Sequence, residues 1–107
     1  MHIQINTDSN IEGNEELAVW IKGVVQIALF RWSDRISRVE VHLSDENAGK
    51  TGQHDKRCML EARVEGRQPT AVTHEAATIN DAVDGAAEKL KRSLESVFDR
   101  LTDVRRK

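Results

Sequence analysis

The chain has 107 residues, of which 32% are charged and 38% hydrophobic, and its formal net charge is −2 at pH 7. This length suits one domain with a single core, which needs no metal or disulfide to hold it together. The only cysteine, Cys58, excludes an internal disulfide and is typical of the reducing cytoplasm. The small negative charge excludes nucleic-acid binding through the overall field, so any anion binding depends on local sorting of charge.

The sequence contains no pattern typical of export or membrane insertion. Residues 1–6 lack a basic stretch followed by an apolar run, so we expect no secretory signal. Residues 17–32 are rich in apolar side chains, but they are too few to span a bilayer and are interrupted by Lys22, Gln26 and Arg31. We therefore expect a cytoplasmic protein without a membrane partner.

A strand, a helix and a second strand are predicted for the first part of the chain. Residues 2–6 alternate in polarity, as a short strand does. Asn14 is a suitable N-cap for a helix that runs to about Phe30. Residues 36–44 give the clearest strand pattern, with apolar and charged side chains in alternation. The predicted inward stripe of the helix is Leu17, Ile21, Val24 and Ala28, with Trp20 and Trp32 beside it.

The second part of the chain predicts two more strands and a long helix. A polar loop over 45–56 precedes a strand over 58–65, and a turn at 66–69 precedes a weaker strand over 70–75. Residues 78–101 follow the helical period. Their apolar positions are Ile79, Val83, Ala86, Leu90, Leu94, Val97 and Leu101. We expect one domain over residues 1–104 and a basic tail over 105–107.

The order β-α-β-β-β-α predicts an α+β (α/β) fold of two layers. Each strand has one apolar and one polar face, so both helices are expected to cover one face of a four-stranded sheet while the other face meets water. His74 is predicted to point toward the helices, and His42 is predicted to lie on the open face.

The polar side of the last helix is sorted by charge. At about 100° per residue, Lys89, Arg92 and Arg100 fall on one flank, which we call the basic edge. Small residues separate these side chains, so the flank can approach a phosphate backbone. The alternative is a solvated face with local ion pairs, such as Glu88 with Arg92. The acidic residues of the helix fall on the back and the other flank: Asp81, Asp84, Glu88, Glu95 and Asp99.

Two segments carry a resemblance to a known family. The first runs from Asn10-Ile11-Glu12 to Ser33-Asp34-Arg35-Ile36, on either side of the first helix. The second comprises Ala82-Val83-Asp84-Gly85, Lys89-Leu90 and Arg92-Ser93-Leu94. With the order of elements, they resemble the ribosome hibernation-promoting and ribosome-associated inhibitor proteins, many of which are called sigma-54 modulation proteins, in a divergent short form without the C-terminal dimerisation domain.

This resemblance implies a dsRBD-like fold that binds the small ribosomal subunit and its RNA. The family occupies the channel of mRNA and tRNA near the decoding site and blocks translation in stressed or resting cells, without catalysis or a cofactor. Its basic residues on both helices face ribosomal RNA. Lys89 and Arg92 match basic positions of the family, and Arg100 matches one that is usually lysine. Lys22 is the basic residue beside the outer face of the first helix, and it completes the expected RNA-binding set.

The chain also departs from the family pattern. Residues 96–98 stand where the last helix of the family usually has a basic run. The outer face of the first helix, commonly rich in lysine, is expected to present Val19, Gly23, Gln26 and Phe30. Exposed apolar patches tend to mark interfaces, so the alternative function is a protein-interaction module of this fold that has lost ribosome binding, with a homodimer through the first helix as one form. The ordinary alternative is simple burial: either the first helix is covered all round, or Phe30 turns inward where the helix ends.

Other site chemistries have little support in the sequence. Residues 44–51 look like a phosphate-binding loop that lacks its first glycine, but the helix that this motif requires does not follow, so a polar hairpin loop is the ordinary interpretation. The four histidines show no metal spacing. Cys58 alternates with Leu60 and Ala62 and is interpreted as a small core residue. We therefore expect no enzyme, no cofactor and no metal.

Overall fold

The computed structural model describes residues 1–8, 11, 14–45 and 56–106, with side chains described as far as residue 100. The elements are β1 (His2–Thr7), α1 (Glu15–Leu29), a short 3-10 helix (Phe30–Trp32), β2 (Ile36–Asp45), β3 (Lys56–Val64), β4 (Thr70–Ala76) and α2 (Ile79–Arg106). The predicted order and the α+β fold class are confirmed. Helix α2 continues past residue 101, its predicted end.

Some predictions fall on residues that lie outside this description. Most of the predicted loop over 45–56 does, including the segment that looks like a phosphate-binding loop. Asn10 and Glu12 of the first family-like segment also lie outside the described residues, as do the side chains of Leu101 and of the predicted tail over 105–107.

The four strands form one mixed sheet in the order β1-β2-β3-β4. Strand β1 runs parallel to β2, with Ile3 opposite Val39, whereas β2–β3 and β3–β4 are antiparallel. A parallel pair cannot be joined by a tight turn and needs a crossover connection. Helix α1 is that crossover, so it lies over the sheet.

The alternation of side chains in the strands separates a core face from an open face. Val39, Val41 and Leu43 of β2 are buried, whereas the neighbouring His42 is only half-buried, on the open face as predicted. The buried residues of the sheet belong to the same cluster as buried residues of both helices, so both helices cover one face. On the open face, Arg38 donates to the Gln4 side chain, and Arg63 lies 3.5 Å from a carboxylate oxygen of Glu40.

Both helices begin at a side-chain cap. The backbone N–H of Leu17 donates to Asn14 Oδ1 at 2.7 Å, which confirms Asn14 as the N-cap of α1. At the start of α2, the backbone N–H of Asp81 donates to Thr78 Oγ1 at 3.1 Å. Each cap satisfies one backbone donor that the helix leaves free, and such caps contribute about 1 kcal/mol to stability.

The inward face of α1 is centred differently from the prediction. Its buried residues are Ile21, Val25 and Leu29, whereas Val24 and Ala28 are only partly buried. Adjacent apolar residues such as Val24 and Val25 make the apolar arc of this helix wide. The helical period therefore located the arc but could not decide which part of it meets the sheet.

An aromatic stack fastens the end of α1 to α2. Trp32 is buried, and its ring stacks on Phe98 with the ring centroids 5.6 Å apart. The guanidinium groups of Arg31 and Arg35 lie over Trp32 and Phe98, each 4.9 Å from the ring centroid. Phe98, which stands where the family has a basic run, is thus part of the core rather than of the helix surface.

Strand β4 and α2 approach each other closely at Gly85. His74 points from β4 toward α2, as predicted, and a Cβ atom built on Gly85 would overlap its imidazole ring. Glycine therefore sits inside this helix because the approach leaves no room for a side chain, although glycine costs a helix about 1 kcal/mol relative to alanine.

We expect Gly85→Ala to lower the free energy of unfolding by about 1–3 kcal/mol, because the imidazole and α2 must move apart. The matched control is Gly23→Ala in α1, where a Cβ has nothing within 4 Å and helix propensity favours alanine. His74→Ala should restore part of the loss when combined with Gly85→Ala. Urea denaturation measures all three, and equal stability of the two single alanine variants would contradict the overlap.

Cys58 is fully buried, and burial raises the pKa of its thiol from 9.0 to about 12. Because the folded pKa lies above the unfolded one, the stability contributed by the neutral thiol is complete below pH 9 and is lost as the pH rises toward 12. We expect the native protein to resist thiol reagents near neutral pH and the unfolded chain to be labelled fully. Rapid labelling of the native protein would show that Cys58 is not a closed core residue.

Candidate nucleic-acid interface

The basic edge of α2 lies on the flank of the helix that faces β4. Lys89 is exposed, and its Nζ donates to the backbone carbonyl of Thr73 in β4 at 2.9 Å. The approach of Gly85 to His74 lies on the same flank. An ammonium group has three donors, so this bond leaves Lys89 able to contact a further acceptor.

Arg92 makes the local ion pair that was the alternative to RNA contact. Its Nε lies 3.4 Å from Glu88 Oε1, one helical turn earlier. The two side chains are 74% and 54% exposed. An exposed pair of this kind contributes only a few tenths of a kcal/mol, so a phosphate can compete with Glu88 for Arg92.

Arg100 continues the basic edge toward the end of α2. Its side chain is exposed, and its Nε donates to the backbone carbonyl of Ser96 at 3.3 Å. The helical rise places Lys89 and Arg100 about 16 Å apart along the axis, with Arg92 between them. The three predicted residues are therefore brought together on one exposed flank of one helix.

The opposite flank of α2 faces α1 and carries acidic residues. An open groove of about 420 Å³ separates the helices and is lined by Val24, Ile27 and Ala28 of α1 and by Asp84, Ala87, Glu88 and Lys91 of α2. Farther along, Glu95 lies 3.8 Å from Arg31. The flank of α2 toward α1 thus carries mostly acidic side chains, with Lys91 among them, and the flank toward β4 carries the basic edge.

Lys22 is exposed but is not part of this surface. Val24 lines the groove toward α2, and two residues correspond to a rotation of roughly 200° about the axis of α1. Lys22 therefore lies on the flank of α1 that points away from α2. The two helices do not combine their predicted basic residues into one face, and a role of Lys22 in RNA binding stays a prediction.

The outer face of α1 is exposed and apolar. Val19 is 69% exposed and Phe30 76%, so both forms of the burial alternative are wrong: α1 is not covered all round, and Phe30 does not turn inward. Ile27 was not among the residues predicted for this face, and at 81% it is the most exposed large hydrophobic residue in the described part of the chain. Its spacing of four from Gly23 was the signal that could have found it. We define the outer α1 face as Val19, Gly23, Gln26, Ile27 and Phe30.

The described part of the chain presents little other site chemistry. Within it, no group of three or more His, Cys, Asp or Glu side chains could hold a metal ion. Among the described helices, none is long and apolar enough to cross a membrane. The fold and these surfaces define a two-layer α+β domain with one basic helix flank and one apolar helix face.

Comparison with known proteins assigns the chain to a family. Residues 3–102 match the family described as Sigma 54 modulation protein / S30EA ribosomal protein, and the chain belongs to that family. The resemblance stated from the sequence is thereby confirmed. The family is not one of enzymes, in agreement with the prediction. Among curated proteins, no sequence match is found.

Two of the solved structures that match illustrate the shared fold. The Protein Y N-terminal domain from Thermus thermophilus is 22% identical in sequence with a TM-score of 0.72, and the match covers 91% of this chain and 99% of that one. A ribosomal subunit interface protein from Coxiella burnetii is 18% identical with a TM-score of 0.69, and here the match covers 92% and 99% of the two chains.

Proposed function

We propose that this protein associates with the small ribosomal subunit in the cytoplasm, that it contacts ribosomal RNA through the basic edge of α2, and that it thereby lowers translation in stressed or resting cells. Membership of the Sigma 54 modulation protein / S30EA ribosomal protein family supports the association. The exposure of Lys89, Arg92 and Arg100 on one flank of α2 supports this flank as the surface that contacts RNA.

The charge distribution supports a contact of a particular kind. The net charge of −2 means that RNA is not attracted to the molecule as a whole. The carboxylates of Asp84, Glu88 and Glu95 disfavour phosphate on the flank toward α1, although Lys91 also lies there, so an approach from the β4 side is the more favourable one. Three phosphate contacts give a shallow salt dependence, with a slope of log affinity against log salt of about −2 to −3.

A second candidate function is a protein-interaction module of the same fold that no longer binds ribosomes. The exposure of Val19, Ile27 and Phe30 favours it, because this face is unsuited to phosphate. The two functions use different surfaces and can be tested with separate variants.

We expect Lys89→Glu combined with Arg92→Glu to abolish cosedimentation with small ribosomal subunits at moderate salt. Each reversed side chain replaces attraction to phosphate by repulsion, and each lost contact should reduce the salt slope by about one. Circular dichroism and urea denaturation would verify that the variant is folded.

The matched control for the single variant Arg92→Glu is Arg63→Glu on the open sheet face. Arg63 is 56% exposed and pairs with Glu40 at 3.5 Å, much as Arg92 pairs with Glu88. The control should bind like the wild type. The proposal fails if the wild type does not bind at low salt, and the choice of surface fails if Arg92→Glu and Arg63→Glu behave alike.

We expect Glu88→Gln to strengthen ribosome binding at low salt by about twofold, because it frees Arg92 from an ion pair worth a few tenths of a kcal/mol. Glu61→Gln is the matched control, since Glu61 lies 3.8 Å from Arg63 on the open sheet face. Titration of labelled protein against small subunits measures both. An equal gain in the two variants would indicate a response to net charge alone.

A further inference from the structure

The outer α1 face has a projection at one end and a hollow at the other. Phe30 projects into solvent, with 76% of its surface exposed. At the start of α1, Glu15, Glu16, Val19 and Trp20 line an open hollow of about 490 Å³. Gly23 lies midway between them, with nothing within 4 Å of the place where a Cβ would stand. Both features belong to one exposed helix face.

We propose that this face binds a second copy of the same chain, with the two α1 helices antiparallel and their two-fold axis at Gly23. Phe30 lies seven residues after Gly23, and Glu16 lies seven residues before it, about 10 Å along the axis in either direction. The pairing therefore places each Phe30 at the hollow of the other copy. Val19 of each copy lies level with Ile27 of the other.

The charges at the two ends of α1 favour this orientation. Glu15 and Glu16 occupy the first turn, and Arg31 follows the last turn with its side chain 62% exposed. Arg31 lies 3.8 Å from Glu95 of its own copy, but an exposed pair of this kind is weak, so a carboxylate of the other copy can compete for it. In the antiparallel pairing, Glu16 lies within one residue of the level of the other copy's Arg31. A parallel pairing would place Glu16 of the two copies side by side, which costs free energy because like charges repel. The face is thus complementary to itself in both shape and charge, as a two-fold interface requires.

Gly23 allows the close approach that the pairing needs. Without a side chain at the crossing point, the two helix backbones can come near enough for Val19 and Ile27 to reach across. The contact involves one helix face per copy and is smaller than the roughly 800 Å² per partner of a standard interface. The dimer is therefore expected to form in a concentration-dependent way. It leaves the basic edge free, so this inference does not rest on the proposed ribosome binding.

Sedimentation equilibrium over a wide concentration range tests self-association. The wild type should show a reversible monomer–dimer equilibrium, and Phe30→Asp should be monomeric throughout. Gln68→Glu, in the exposed turn between β3 and β4, adds the same charge and should dimerise like the wild type. Circular dichroism of each variant would verify that it is folded.

Disulfide trapping tests the register of the pairing. Under mild oxidation, Gly23→Cys should give a covalent dimer, because the two introduced thiols meet at the axis. Lys22→Cys places an exposed thiol on the neighbouring flank and should give no covalent dimer. Cys58 is buried and does not compete for oxidation.

Each result decides a part of the proposal. A wild type that stays monomeric at all concentrations overturns self-association. If Phe30→Asp then also weakens cosedimentation with ribosomes, the outer α1 face belongs to the ribosome contact instead. A dimer that survives Phe30→Asp overturns the use of this face, and equal trapping of Gly23→Cys and Lys22→Cys overturns the register.

Discussion

The parallel pairing of β1 with β2 is the constraint on which the remaining architecture depends. Its crossover, α1, must lie against the sheet, and the next two strands then follow as antiparallel neighbours. Helix α2 returns over β3 and β4 on the same face of the sheet, beside α1. Each helix therefore has one flank toward the other helix and one flank directed away from it. This arrangement decides which charged side chains of α2 face α1 and which face away from it.

The elements could be predicted from the sequence because strands and helices differ in the period of their apolar residues. The alternation in β2 and β3 and the stripe of α2 are strong signals of that kind. The direction of β1 relative to β2 could not be predicted, since alternation is the same in parallel and antiparallel strands. The sequence also could not predict that Val25 and Leu29 are buried rather than Val24 and Ala28. A wide apolar arc fits the sheet at more than one rotation of the helix about its axis.

For the candidate surfaces, features within one helix could be predicted, whereas features that depend on the packing of two elements could not. Lys89, Arg92 and Arg100 share one helix, so the helical period alone was enough to group them. The relation of Lys22 to this group depends on how two helices pack, which no single-helix pattern contains. Phe98 shows the same limit: its place in the chain indicated a lost basic position, whereas its stack on Trp32 places it in the core. Residues whose role depends on a second element are those that sequence patterns misplace.

The bond from Lys89 to the Thr73 carbonyl has a consequence for the edge of the sheet. Strand β4 is the last strand on its side, and an edge strand offers backbone groups to which another chain could add a strand. A cation held at such an edge discourages that addition, because pairing would require it to be displaced and desolvated. The position of Lys89 therefore disfavours pairing of β4 with another chain, and this effect favours a lysine here whether or not RNA is bound.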